Sequence, residues 1–311
     1  MMKKLIIFSF ILGLLSCNPQ PDIDNETMLD GDKIFDLSLY QPQDYLISKK
    51  YPAPTELQKN TPVIIAAHGY SATTFEWDEL HEFALQKGNF MVSRVLLGGH
   101  GRDFASFKAA TWEDWQASIK TEYDALVALG YKKIWLIGSS TGAPLIVNMI
   151  KTGFFDDKTT PKGFFLIDPI VISTNKTLTM VGLLGPVLGY TTTELDPGET
   201  GKWYVYRPQE SLKQLMQLID LTRKDLEKGI SLPTNAFLRI YKSKIDYTAD
   251  PASAALLYNG LEKSDGKPVE VTMMQSSLHV FTRLRGRLDV IPVDQQNQQK
   301  AFNEIANEIT Q

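Results

Sequence analysis

The chain predicts an α/β fold with a mostly parallel central sheet flanked by helices. Three observations point there. Short apolar runs alternate with helical periodicities, the pattern of βαβ units. Gly138-Ser139-Ser140-Thr141-Gly142 spells G-x-S-x-G between an apolar run and a helical pattern. The alternation then lapses over about residues 170–233 before strand character resumes, which reads as an insert lying over the strand ends.

The elements follow in order. Pro62 to Ala67 is a continuous apolar run, expected for a strand covered on both faces. Phe75 to Lys87 is a helix, and Asn89 to Leu97 a strand that ends in Gly98-Gly99-His100-Gly101. Trp112, Trp115, Ile119, Tyr123 and Leu126 recur at helical spacing, so both tryptophans belong to the core. Ile134 to Ile137 is the strand before the pentapeptide, and Ala143 to Ile150 the helix after it, with Pro144 acceptable in its first turn. Gly163 to Ile167 is a strand closed by Asp168-Pro169. No convincing strand lies between Ile170 and Pro233. That stretch holds the Gly-containing apolar run Met180 to Tyr190, then a helix with Leu212, Leu215, Ile219 and Leu226 on one face. A strand at Ala236 to Tyr241, a helix near Ala252 to Leu261, a strand at Val269 to Met274 and a helix near Gln298 to Ile309 complete the chain.

Composition narrows the function classes. The 311 residues are 43% hydrophobic and 22% charged, as in a globular body. With a net charge of -4 and no basic stretch, nucleic acid is not an expected partner. Met1 to Lys4 is a short cationic head, Leu5 to Leu15 an apolar run too short to span a bilayer, and Leu14-Leu15-Ser16-Cys17 follows. Residues 1–16 therefore read as an export signal. Leu-x-small-Cys resembles a bacterial lipobox, whose cysteine carries a diacylglyceryl thioether. The resemblance implies lipidation at Cys17, a flexible tether over 17–32, and export to the bacterial cell envelope with the membrane as partner. Cys17 is the sole cysteine, which leaves no thiol for an intrachain disulfide, a cysteine metal cluster or a cysteine nucleophile.

The chemistry is read from the pentapeptide outward. A strand turning sharply into a helix presents its central serine at the carboxyl edge of a sheet, which makes Ser140 the candidate nucleophile for acyl transfer. Such a serine needs a base, an orienting acid and oxyanion donors. The expected order is serine, acid, histidine, and of His68, His81, His100 and His279 only His279 follows Ser140. Asp246 follows the preceding strand and is the candidate acid, with Asp168 and Asp250 as rivals. The backbone N–H groups of Tyr70, in His68-Gly69-Tyr70, and of Thr141 are the candidate oxyanion donors. His68, His100 and Arg102 are expected to brace loops, and His81 to sit on a helix surface.

Taken together these pieces resemble an α/β hydrolase, and more narrowly the bacterial carboxylesterase and monoacylglycerol lipase group, which shares its fold with serine aminopeptidases. The matching residues are His68 to Tyr70, Gly99 to Gly101, Gly138 to Gly142, Asp246 to Pro251 and Ser277 to Val280, in order over roughly residues 60–285. The resemblance implies a core over 33–169 and 234–311, and a helical cap after the sixth core strand, fitting 170–233. It implies esterase chemistry without metal or organic cofactor. The chain departs from the group at Thr141-Gly142-Ala143 and in the run Met180 to Tyr190. Met180, Leu183 and Leu184 are expected to contact an apolar acyl group. A peptidase or amidase using the same triad, and a binding lipoprotein that has lost catalysis, are the other readings.

Overall fold

The computed structural model describes residues 36–174 and 189–311. Six strands form one sheet: β1 (Val63–Ala67), β2 (Met91–Val95), β3 (Ile134–Ser139), β4 (Gly163–Ile167), β5 (Phe237–Ser243) and β6 (Glu270–Met274). Their spatial order is β6-β5-β4-β3-β1-β2, and every adjacent pair is parallel. Parallel strands need crossovers, and the crossover helices cover both faces. That is why β1, β3 and β4 are buried at every residue and read as unbroken apolar runs.

The principal helices are α1 (Asp78–Lys87), α2 (Phe104–Ala109), α3 (Trp112–Ala128), α4 (Gly142–Lys151), α5 (Gln209–Lys228), α6 (Ala252–Gly260) and α7 (Pro292–Thr310). On one face of the sheet, Trp115, Ile119 and Tyr123 of α3 pack in one core with Leu145 and Met149 of α4. On the other, Leu80 and Ala84 of α1 meet Phe302, Ile305 and Ile309 of α7. Thr111 caps α3: its hydroxyl accepts from Asp114 N while Asp114 Oδ2 accepts from Thr111 N. Helix α7 starts at Pro292, earlier than the apolar periodicity suggested. Pro292 suits a first helical turn, and Asp294 accepts the Ile291 N–H at 3.1 Å, so the start is set by capping.

The insert leaves the sheet after β4, the fourth strand in chain order among the described residues rather than the sixth of the family's count. It contains α5, whose buried Leu212, Leu215, Ile219 and Leu226 match the expected face. Each such side chain contributes about 1.5–3 kcal/mol on burial. The insert is not strand-free. Tyr190–Thr192 pairs antiparallel with Tyr206–Pro208, and Ile230–Ser231 pairs with Leu261–Glu262. Segments of two or three residues are too short to show a period of two, so contacts alone decide them. Residues 1–35, with Cys17 and the whole tether, and residues 175–188, with Met180, Leu183 and Leu184, lie outside the described residues. Among the described residues no helix is long and apolar enough to cross a membrane.

Candidate active site

The turn from β3 into α4 places Ser140 at the carboxyl edge of the sheet. Ser140 has φ +46°, the left-handed region that costs a non-glycine residue energy. The conformation is held from both sides: Ser140 N donates to Ile167 O on β4 at 2.9 Å, and Ile170 N donates to Ser140 O at 3.3 Å. The flanking glycines permit close approach. A Cβ on Gly138 would lie 2.5 Å from Gly142 C, and one on Gly142 2.3 Å from Ala67 O. The need for glycine here is thus a backbone contact between β1, β3 and α4, while the strained φ falls on the serine.

His279 lies on the loop after β6, and its Nδ1 donates to Asp246 Oδ2 at 2.8 Å. Asp246 lies on the loop after β5, with a fully buried side chain. Its Oδ1 accepts from Thr248 N at 2.8 Å and Ala249 N at 2.9 Å. Its Oδ2 also receives Lys242 Nζ. Burial alone would raise the Asp246 pKa, but His279 and Lys242 outweigh it and hold the carboxyl well below the usual range. Nε2 of His279 is buried without a hydrogen-bond partner among the described residues. Ser140 and His279 line one cavity of about 240 Å³.

The rival acids have other partners. Asp168 accepts from Ser243 N at 2.6 Å and Phe281 N at 3.1 Å, tying the loop that carries His279 to the sheet edge. Asp250 accepts from the N–H of Ala252, the first residue of α6, at 2.8 Å. Lys242, fully buried on β5, sits between Asp168, at 3.3 Å, and Asp246. Sequence reading missed this lysine, because a cation inside a strand has no local signature.

Tyr70 and Thr141 line the same cavity as Ser140. Thr141 immediately precedes α4, where helix N–H groups and the dipole favour negative charge. Gly69 comes within reach of the serine: a Cβ there would be 3.1 Å from Ser140 Cβ. The loop is locked by Glu76, which accepts from Gly69 N at 2.8 Å and from Ser139 Oγ. Burial raises the Glu76 pKa. Glu76 too was absent from the sequence reading; its hint was a carboxylate opening a helix seven residues after His68-Gly69.

Two of the remaining histidines, His68 and His100, brace loops. His68 Nδ1 donates to Gly69 O at 2.8 Å, and its Nε2 accepts from Leu97 N at 3.1 Å. Burial depresses its pKa to about 4, so the ring is neutral at pH 7. His100 repeats the arrangement between Gly98 O and Ser71 N. Arg102 joins this loop to the insert through its N–H, which donates to Tyr204 Oη at 2.9 Å. His81 is half-buried on α1, not on an open surface, and burial takes its pKa down to about 4.

Across the cavity stands the insert. Leu212 and Leu215 of α5 and Trp203 line it, with Ile170 at the root of the insert. Tyr70 Oη lies 2.5 Å from Ser211 Oγ of α5, which ties the insert to the loop that carries Gly69 and Tyr70. Three arginines, Arg207, Arg283 and Arg287, line the cavity as well, and none was singled out from sequence. Among the described residues no group of three His, Cys, Asp or Glu side chains is arranged to hold a metal ion.

A parallel sheet with a strained serine between strand and helix, and a carboxylate–histidine pair on the loops after its last two strands, can be compared with known structures. A soluble variant of the monoglyceride lipase from Saccharomyces cerevisiae superposes with a TM-score of 0.65 at 14% identity, covering 83% of this chain and 88% of that one. This chain has the α/β-hydrolase fold. A structure from work on LipS and LipT, two metagenome-derived lipolytic enzymes, superposes on this chain with a TM-score of 0.64 at 19% identity, covering 80% of this chain and 94% of that one. In sequence, the thermostable monoacylglycerol lipase of Bacillus sp. (strain H-257) is 25% identical over 242 residues, 76% of this chain and 92% of that protein. No protein-family model matches the chain.

Proposed function

We propose that the protein is a serine hydrolase that cleaves carboxylic esters through an acyl-enzyme. The observation that carries this reading is the 2.8 Å bond from His279 Nδ1 to the buried Asp246, with Nε2 unpartnered among the described residues in the cavity that Ser140 lines. In the reaction, Ser140 Oγ attacks the ester carbonyl carbon and its proton passes to His279 Nε2. Asp246 holds the tautomer that leaves Nε2 free, and stabilises the imidazolium that forms. The N–H groups of Tyr70 and Thr141 receive the oxyanion. On collapse the bond to the alcohol oxygen breaks, and His279 returns its proton to that oxygen. Water, with His279 again as base, then attacks the acyl-enzyme, releasing the acid and regenerating Ser140.

The 25% identity to a monoacylglycerol lipase favours esters over amides. Ile170, Trp203, Leu212 and Leu215 favour an apolar acyl group. Met180, Leu183 and Leu184 would extend that wall, and Cys17 would carry a lipid anchor holding the domain at the cell envelope. The test is labelling by an alkyl fluorophosphonate. The probe should attach to Ser140, and Ser140→Ala should abolish both labelling and turnover of short-chain 4-nitrophenyl esters. Labelling retained in that variant, at Ser139 or elsewhere, refutes the assignment.

A further inference from the structure

The cavity beside Ser140 is richer in cations than a neutral ester requires. Arg207, Arg283 and Arg287 all line it. Only Arg283 has a carboxylate partner among the described residues, Glu199 at 2.5 Å, and it also lies 4.7 Å over the Trp203 ring. Arg287 donates to the carbonyl of His279, and its Nε is buried without a partner among the described residues. Burial first, then Arg283 as a like-charged neighbour, lowers the Arg287 pKa to about 10, and Glu199, Asp289 and Glu76 offset this only in part. The Arg207 guanidinium lies 5.9 Å from the Tyr70 ring centre, and its Nε is buried and likewise unpartnered.

Glu199, paired with Arg283, also lies near Arg207 and Arg287, and Asp289 lies near Arg287, so two carboxylates serve three guanidinium groups there; the other acids of the cavity are committed elsewhere. Asp246 holds His279 and Lys242. Glu76 holds Gly69 N and Ser139, and its burial favours the neutral acid. The stretch 175–188 contains no Asp or Glu. Arg207 and Arg287 are half-buried, each with a buried Nε short of an acceptor among the described residues, and the planar fork of a guanidinium matches the two oxygens of a carboxylate or phosphate.

We propose that the ester taken by this site carries an anionic oxyacid group, a carboxylate or a phosphate, seated on Arg207 and Arg287 while Ser140 attacks the ester carbonyl. The proposal rests on the serine-esterase reading and adds the charge of the substrate. The apolar wall takes the hydrocarbon part and the arginines take the charged end, so the substrate is an amphiphile with a negative terminus or a half-ester of a dicarboxylic acid.

Two matched pairs of esters test it and separate the two sources of the anion. One pair is 1-butanoylglycerol 3-phosphate against 1-butanoylglycerol, with phosphate on the alcohol side. The other is 4-nitrophenyl hydrogen glutarate against 4-nitrophenyl pentanoate, with carboxylate on the acyl side. In at least one pair the anionic member should have the higher kcat/KM, by about tenfold or more, as expected for charge-assisted bonding to arginine. Arg207→Gln should move that ratio toward one, and Arg207→Lys should keep part of it. Fluorophosphonate labelling of Ser140 in each variant confirms that the site is assembled. If the wild-type ratio is one or less in both pairs while neutral esters are turned over, the anion proposal fails and the esterase reading stands. A wild-type preference that Arg207→Gln leaves unmoved in a labelled protein also overturns it. If wild-type protein neither labels nor turns over any of the esters, the esterase reading falls and takes the proposal with it.

Discussion

Lys242→Met tests how the buried charges behind His279 are balanced. The ammonium of Lys242 is fully buried and touches two buried carboxylates, Asp168 and Asp246. Methionine fills similar volume without charge, leaving both carboxylates short of a cation. Breaking a buried pair by removing one partner costs about 3–5 kcal/mol, a large part of the roughly 5–15 kcal/mol that keeps a domain folded. At about 2 °C per kcal/mol for a chain of this size, Tm should fall by roughly 6–10 °C at pH 7.5. The pH dependence has a definite sign. The folded-state pKa of Asp246 is depressed, so its ionisation stabilises the fold above the ordinary carboxylate range, and this contribution is lost as pH falls through that range toward the folded value. Without Lys242 the Asp246 carboxyl titrates higher and the variant is relieved by protonation. The Tm gap between wild type and variant should therefore be widest at pH 7–8 and narrow as pH approaches 4. Thermal unfolding by circular dichroism across that range, with kcat/KM on 4-nitrophenyl butanoate, measures both. A Tm within about 2 °C of wild type at pH 7.5, or a gap that widens on acidification, refutes the argument.

Other substitutions separate the remaining roles. Asp246→Asn should cost a factor on the order of 10⁴ in kcat through the wrong His279 tautomer, with the fold retained. Asp168→Asn should cost less in kcat per folded molecule and more in Tm, since Asp168 accepts from Ser243 N and Phe281 N rather than from the imidazole; a larger kcat loss at Asp168 in folded protein would reverse the assignment. Gly142→Ala should yield little folded protein, as its Cβ would stand 2.3 Å from Ala67 O; soluble expression and Tm at wild-type levels would contradict this. Cys17→Ala should abolish incorporation of labelled fatty acid in the producing bacterium, while a truncated protein beginning at Asp30 should turn over soluble esters at the full rate. An inactive but folded truncation would tie the tether to catalysis.

What could be read from sequence depended on short range. The strands β1, β3 and β4 are visible as apolar runs because a parallel strand covered on both faces has no polar side to interrupt it. The strand-to-helix turn at Ser140 is visible because its steric demands fall on Gly138 and Gly142 within five residues. His279 could be singled out because it alone among four histidines follows Ser140. Its acid could not be separated from its rivals in that way. Asp246 reaches His279 across 33 positions, while Asp168 reaches Phe281 N across 113, and only the packing of loops at the sheet edge decides which carboxylate meets the imidazole. The same holds for Lys242, which looks like any strand cation until β4 and β5 bring Asp168 beside it. Arg207 likewise stands 76 positions before Arg283, and it joins Arg283 and Arg287 only when the insert folds over the sheet. Local patterns record what each segment must bury, whereas the charge of the cavity is set by which distant segments share it, and that is fixed by tertiary structure alone.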